Sequence, residues 1–331
     1  MNLTRRKALS LTASLPLAWL PTRAAHATGG VVDEDWTDAA RQRTVPVRIR
    51  WPSGALPRPA AGWPLVLYSH GLGGSREGGA TWGEAWAAAG IVVVHLQHPG
   101  SDTPALRASG LRSFADKDGL RQAASPQQLL ARVQDARFAL DEIARRRAEG
   151  DAHWQTVRSE ASGFAGHSFG AHTTMALAGQ LYPRGLSVAE PRIAAFIAFS
   201  PSLPAAGDAQ AAFARITRPM LCLTGTRDED VAGTRATPER RAAVFGALPA
   251  GNKAGLVLQE ADHMTFGGDA GRRAGILPRA DATRALQAQH HALLSALTTD
   301  WWRTHLLADA AARQRLHQPR GLAAGDVWQQ G

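Results

Sequence analysis

Short, almost wholly apolar runs alternate along this chain with longer stretches whose apolar residues recur every three or four positions. The runs at 65–69, 91–96, 193–199, 220–224 and 256–259 have the length and composition of strands buried on both faces. Residues 161–166 are small and suit a further buried strand, while 45–51 reads as an edge strand. Helical spacing marks 79–89, 127–147, 238–248 and 281–316, with Pro126 at a first-turn position. Another helix starts at Ala171 and carries apolar spacing to Leu181, before Pro183 and Gly185 stop it. Strands alternating with helices predict the α/β class: a mostly parallel central sheet flanked by helices. No repeat or linker interrupts the pattern, so one domain is expected.

Two gaps bear on access to any site. Between Ser200 and Pro219 lie 18 residues, room for one short helix and not for a large cap domain. The stretch 99–125, with Arg107, Arg112, Lys117 and Arg121, is open to two readings, a flap or a surface loop.

Residues 166–170 read Gly-His-Ser-Phe-Gly. G-x-S-x-G between a strand and a helix is a nucleophile elbow, a turn that leaves a serine hydroxyl exposed at the tip of a sheet. The glycines are needed because a side chain at either position would meet neighbouring backbone. Ser168 is the candidate nucleophile, and it needs a base, an acid that orients the base, and donors for an oxyanion.

On such sheets the acid and then the histidine follow the serine along the chain. His263 opens a loop directly after the last strand-like run, whereas His290, His291, His305 and His317 lie in the long helical pattern or at its end. His263 is therefore the candidate base. The strand at 220–224 ends in Gly225 and is followed by Thr226-Arg227-Asp228-Glu229-Asp230. Asp228 is the candidate acid, Asp230 is held in reserve, and Glu229 reads as solvated. After the early strand comes His70-Gly71-Leu72-Gly73-Gly74, either a bare turn or a loop that supplies one oxyanion N–H. On the second reading the backbone amides of Leu72 and Phe169 form the hole. Leu203, Met264 and Phe266 flank these positions and are candidates to line the substrate pocket.

Together with His98-Pro99-Gly100-Ser101, these motifs resemble those of secreted bacterial α/β-hydrolases of the dienelactone-hydrolase-like group, close to the platelet-activating-factor acetylhydrolases. The resemblance spans roughly residues 35–307, including Trp301-Trp302 in the last helix. It implies a single α/β-hydrolase domain and ester hydrolysis through an acyl-enzyme. There are two departures. Plasma-type acetylhydrolases take their acid from the strand after the elbow helix, where this chain has Ala198-Phe199-Ser200. Dienelactone hydrolases use a cysteine nucleophile, and this elbow holds serine. Fold and chemistry carry over better than either named substrate.

The N-terminus adds a location. Thr4-Arg5-Arg6-Lys7, an apolar stretch at 8–20 and Ala25-His26-Ala27 together resemble an export signal of the twin-arginine kind. Residues 1–27 are expected to be removed, leaving a catalytic domain of 28–331 in the periplasm or outside the cell. The apolar stretch is too short to span a bilayer, so no membrane span is expected. Removal takes Arg5, Arg6, Lys7 and Arg23 and lowers the net charge from +9 to +5. The remaining basic residues are scattered among acids and are not interleaved with aromatics, which argues against nucleic acid. The single cysteine, Cys222, sits in an apolar run and excludes an intrachain disulfide. No clustered ligands indicate a metal, and the chemistry needs no cofactor.

The expectation is a secreted serine carboxylester hydrolase for small ester substrates, with short acyl groups preferred. Acyl transfer, a phospholipid acetylhydrolase activity, polyester hydrolysis and a catalytically inactive binding protein are the alternatives on the same fold. The oligomeric state is left open.

Overall fold

The computed structural model describes residues 30–110, 117–230, 236–268 and 279–331. The expected export segment lies outside them. Nine strands form one sheet, in the order β1-β2-β4-β3-β5-β6-β7-β8-β9. The strands are β1 (Val31–Asp38), β2 (Arg43–Arg50), β3 (Trp63–Ser69), β4 (Val92–Leu96), β5 (Val157–His167), β6 (Ile193–Phe199), β7 (Met220–Arg227), β8 (Lys253–Asp262) and β9 (Val327–Gln330). The six from β3 to β8 run parallel, while β1 and β2 at one side and β9 at the other are antiparallel.

The helices are α1 (Ala80–Ala88), α2 (Thr103–Ala108), α3 (Lys117–Ala123), α4 (Pro126–Ala148), α5 (Phe169–Ala178), α6 (Ala209–Phe213), α7 (Pro238–Ala247), α8 (Asp281–Leu307) and α9 (Ala310–His317). They cover both faces of the sheet. Alternation along β3 sends Leu65 and Leu67 into the core shared with α4, α5, α6 and α7. Val66 and Tyr68 point to the opposite core, built with α1 and α8. Helix starts are capped where the sequence offers the right oxygen. Ser125 accepts from the Gln128 amide ahead of Pro126, and Thr237 accepts from Arg240 ahead of Pro238.

Three expectations are corrected, and one open stretch gains detail. Strand β2 is not an edge, because β1 pairs along its whole length and takes the outer position. Helix α5 stops at Ala178 rather than reaching Leu181, because Gly179 adopts a left-handed conformation (φ 116°) and closes its end. The pattern at 281–316 is two helices: Ala308 turns left-handed (φ 55°) and Asp309 caps α9 through the Ala312 amide. The stretch 99–125 contains α2 and α3, with 111–116 outside the described residues. Between β6 and β7 the chain holds only the short α6, so no cap domain interrupts the sheet there.

Candidate active site

Strands β3, β5, β7 and β8 are parallel neighbours or near neighbours, and their C-terminal ends lie on one edge of the sheet. Each is followed at once by a residue singled out above: His70, Ser168, Asp228 and His263. Open α/β sheets bind ligands at this edge.

Ser168 stands between β5 and α5 with φ 56° and ψ −113°, an unfavourable backbone for a residue with a side chain. Its amide donates to the Phe199 carbonyl at 2.9 Å, which pins the turn to the end of β6. The turn closes only because its glycines lack side chains. A methyl on Gly166 would lie 2.3 Å from the Gly170 carbonyl oxygen, and one on Gly170 would lie 2.0 Å from that of Ser69. Ser168 itself is only partly buried and open to solvent.

Its hydroxyl donates to His263 Nε2 at 2.9 Å, and His263 Nδ1 donates to Asp228 Oδ1 at 2.7 Å. The His263 backbone is fixed from two sides. Its carbonyl accepts from His167 Nε2 at 3.0 Å, and Asp262 caps the turn that follows by accepting from the Thr265 amide at 2.9 Å. Asp228 is fully buried. Its Oδ2 accepts from Thr224 Oγ1 at 2.8 Å, and Arg241 Nε lies 3.1 Å from Oδ1. Burial alone would raise this carboxyl, but the Arg241 guanidinium and the His263 hydrogen bond outweigh it and hold it below the ordinary carboxylate range. Asp228 is thus ionised while it holds the ring. Asp230 is half-buried on the loop beyond, and Glu229 is exposed.

The loop after β3 passes close to the serine. A methyl on Gly71 would sit 3.4 Å from Ser168 Cβ. His70 sets the next peptide: its Nε2 accepts from the His98 amide at 3.1 Å, so its Nδ1 carries the proton and donates to the Gly71 carbonyl at 2.6 Å. In a trans peptide the Leu72 N–H then points the other way, away from the ring. The amides of Leu72 and Phe169 donate to no protein acceptor among the described residues. Both are available to an oxygen bound beside Ser168.

Of the three pocket candidates, Leu203 and Met264 are half-buried, and Leu203 packs against the core that α4 to α7 share. Phe266 is different. The turn His263–Gly267 carries it inward, where its ring is fully buried and its carbonyl accepts from Trp82 Nε1 at 3.1 Å. It lines no accessible pocket. Adjacency in sequence gave no direction for the side chain.

Several residues packed around these groups, Thr224, Arg241, Arg132 and Asp135, carry no motif. Thr224 and Arg241 support Asp228. Arg132 and Asp135, three apart on α4, are fully buried, as is His98. His98 Nδ1 donates to Asp135 Oδ2 at 3.0 Å, and Ser69 donates to His98 Nε2 at 2.9 Å. Charged residues on the apolar face of a helix were the available signal. Among the described residues no group of three or more His, Cys, Asp or Glu is placed to hold a metal, and no helix is long and apolar enough to cross a membrane.

Residues 18–122 match the family model of platelet-activating factor acetylhydrolase, isoform II. The match takes in the His70 loop and ends before Ser168. A ferulic acid esterase from Streptomyces cinnamoneus superposes with a TM-score of 0.53 at 20% identity, covering 86% of this chain and 92% of that one. This is the α/β-hydrolase fold. No curated protein matches the chain in sequence. The hydrolase fold accounts for the sheet order and for where the elbow falls. The family match covers the segment carrying the glycine-rich loop.

Proposed function

We propose that this chain is a serine carboxylester hydrolase in which Ser168 is the nucleophile, His263 the base and Asp228 the orienting acid. The reading is carried by the continuous path from Ser168 Oγ to His263 Nε2 (2.9 Å) and from His263 Nδ1 to Asp228 (2.7 Å), beside two free amides. His263 takes the hydroxyl proton as Ser168 attacks the acyl carbonyl. The Leu72 and Phe169 amides hold the oxygen that becomes negative. The imidazolium, steadied by the ionised Asp228, returns the proton to the leaving alcohol. Water then releases the acyl group by the same steps in reverse order. No cofactor takes part in this scheme. The match to an acetylhydrolase family model and the likeness to a ferulic acid esterase favour an ester over other acyl substrates.

The protein acts after export, the first 27 residues serving as the signal. With only α6 between β6 and β7, no cap encloses a long acyl chain there, and short acyl groups are the expected substrates. Each methylene gains about 0.8 kcal/mol only where it is enclosed. Hydrolysis of p-nitrophenyl esters of graded length by the purified protein tests this. Rates are expected to be highest for acyl chains of two to about six carbons, with no jump at the solubility limit. Rates that rise steadily to long chains, or no hydrolysis at any length, contradict the proposal.

A further inference from the structure

Arg132 takes part in no step of that reaction, yet its side chain is fully buried on α4 against the loop after β3 and the first turn of α5. A buried charge is normally held by a contact ion pair. The acids that act on Arg132 are Asp135 and Asp102, and both are engaged elsewhere. Asp135 accepts from Arg41, Arg43 and His98, while Asp102 accepts from Gln97 and the Ala105 amide. Burial pulls the guanidinium down to about 9, so it stays cationic at neutral pH.

Its donors and its face are both used. Nε donates to Ser101 Oγ at 2.8 Å, and one terminal nitrogen donates to the His70 carbonyl at 2.6 Å and more weakly to Ser69 Oγ at 3.4 Å. The guanidinium carbon lies 4.3 Å from the centre of the Phe169 ring. One rigid group therefore touches the root of the loop that carries Leu72 and the side chain of Phe169. Those two residues come from different elements, the loop after β3 and the first turn of α5. Resting on the function proposed above, we propose that Arg132 is a positioning residue that sets the spacing of the Leu72 and Phe169 amides around the oxyanion. A lysine cannot reproduce this, because it lacks the planar fork and the stacking face.

The test compares Arg132→Met and Arg132→Lys with the parent. Active sites are counted by labelling to completion with a fluorophosphonate, so that misfolded protein does not enter kcat. For Arg132→Met, kcat per labelled site is expected to fall about 100-fold, and for Arg132→Lys about tenfold, with KM changed less than about threefold. A trifluoromethyl ketone, whose adduct places an oxyanion between the two amides, should bind more weakly in proportion to the loss in kcat/KM. A buried brace without this role would lower the thermal midpoint and leave kcat per site and ketone affinity at parental values; that result overturns the proposal. If the methionine variant does not fold, the lysine variant decides alone. Failure of the underlying function is seen separately, as a parent protein that neither hydrolyses esters nor takes the label.

Discussion

Asp228 and Asp230 stand two residues apart in different surroundings. Asp228 is fully buried, accepts from Thr224 and His263, and has Arg241 3.1 Å away, whereas Asp230 is half-buried on the loop outside that set. Asp228→Asn keeps the shape but presents an amide to His263 Nδ1, which favours the tautomer that cannot accept the serine proton. Turnover of a short ester should drop by about 10⁴, as orienting-acid losses do in such triads. Asp230→Asn should stay within about threefold of the parent, far from the triad-scale loss. Steady-state kinetics on the two variants checks this, and the reverse ranking would place the acid on the wrong residue. At this scale the candidate site was legible because strand ends punctuated by glycine locate Ser168, Asp228 and His263 along the chain. Arg241 and Arg132 were not legible. Their partners are backbone carbonyls and residues distant in sequence, which no spacing rule reveals.

Among the elements, the strands buried on both faces were legible because two-sided burial demands an almost wholly apolar run. Strand β4 reads Val-Val-Val-His-Leu and is buried throughout. Strand β1 was missed because only Trp36 along it is fully buried, and its acids meet arginines across the edge, as Asp33 does with Arg48 at 2.7 Å. Strand β9 is largely exposed and carries no pattern to read. The break between α8 and α9 was hidden because Ala308 is an excellent helix former placed in a left-handed conformation. That placement is costly, and Ala308 is exposed. Ala308→Gly should relieve the strain and stabilise the fold by about 0.5–1 kcal/mol. Urea unfolding at constant m-value measures it; a lower midpoint would mean that the alanine is not strained.

For the whole molecule, two cores on opposite faces of one sheet carry buried histidines that the fold keeps neutral. Burial lowers His95 to about 3, and burial lowers His98 to about 4 despite the hydrogen bond to Asp135. As pH falls below about 6.5 the unfolded chain protonates both rings while the folded one does not, so stability falls by roughly 1 kcal/mol per pH unit for each. The loss continues until the folded values are reached. Thermal midpoints should therefore be level from pH 8 to 7 and drop steadily from 6.5 to 5. A midpoint that holds or rises over that range would contradict neutral burial of these rings. Whether the sheet edge presents Ser168 as the nucleophile of an ester hydrolase is read directly by covalent labelling. The purified protein is treated with a fluorophosphonate, and the adduct is mapped by mass spectrometry alongside residual hydrolysis of a short p-nitrophenyl ester. One adduct per chain on Ser168 is expected, with loss of hydrolysis in step with labelling and neither adduct nor turnover in a folded Ser168→Ala variant. An adduct on another residue, or a Ser168→Ala variant that turns over the ester at the parental rate, would contradict it.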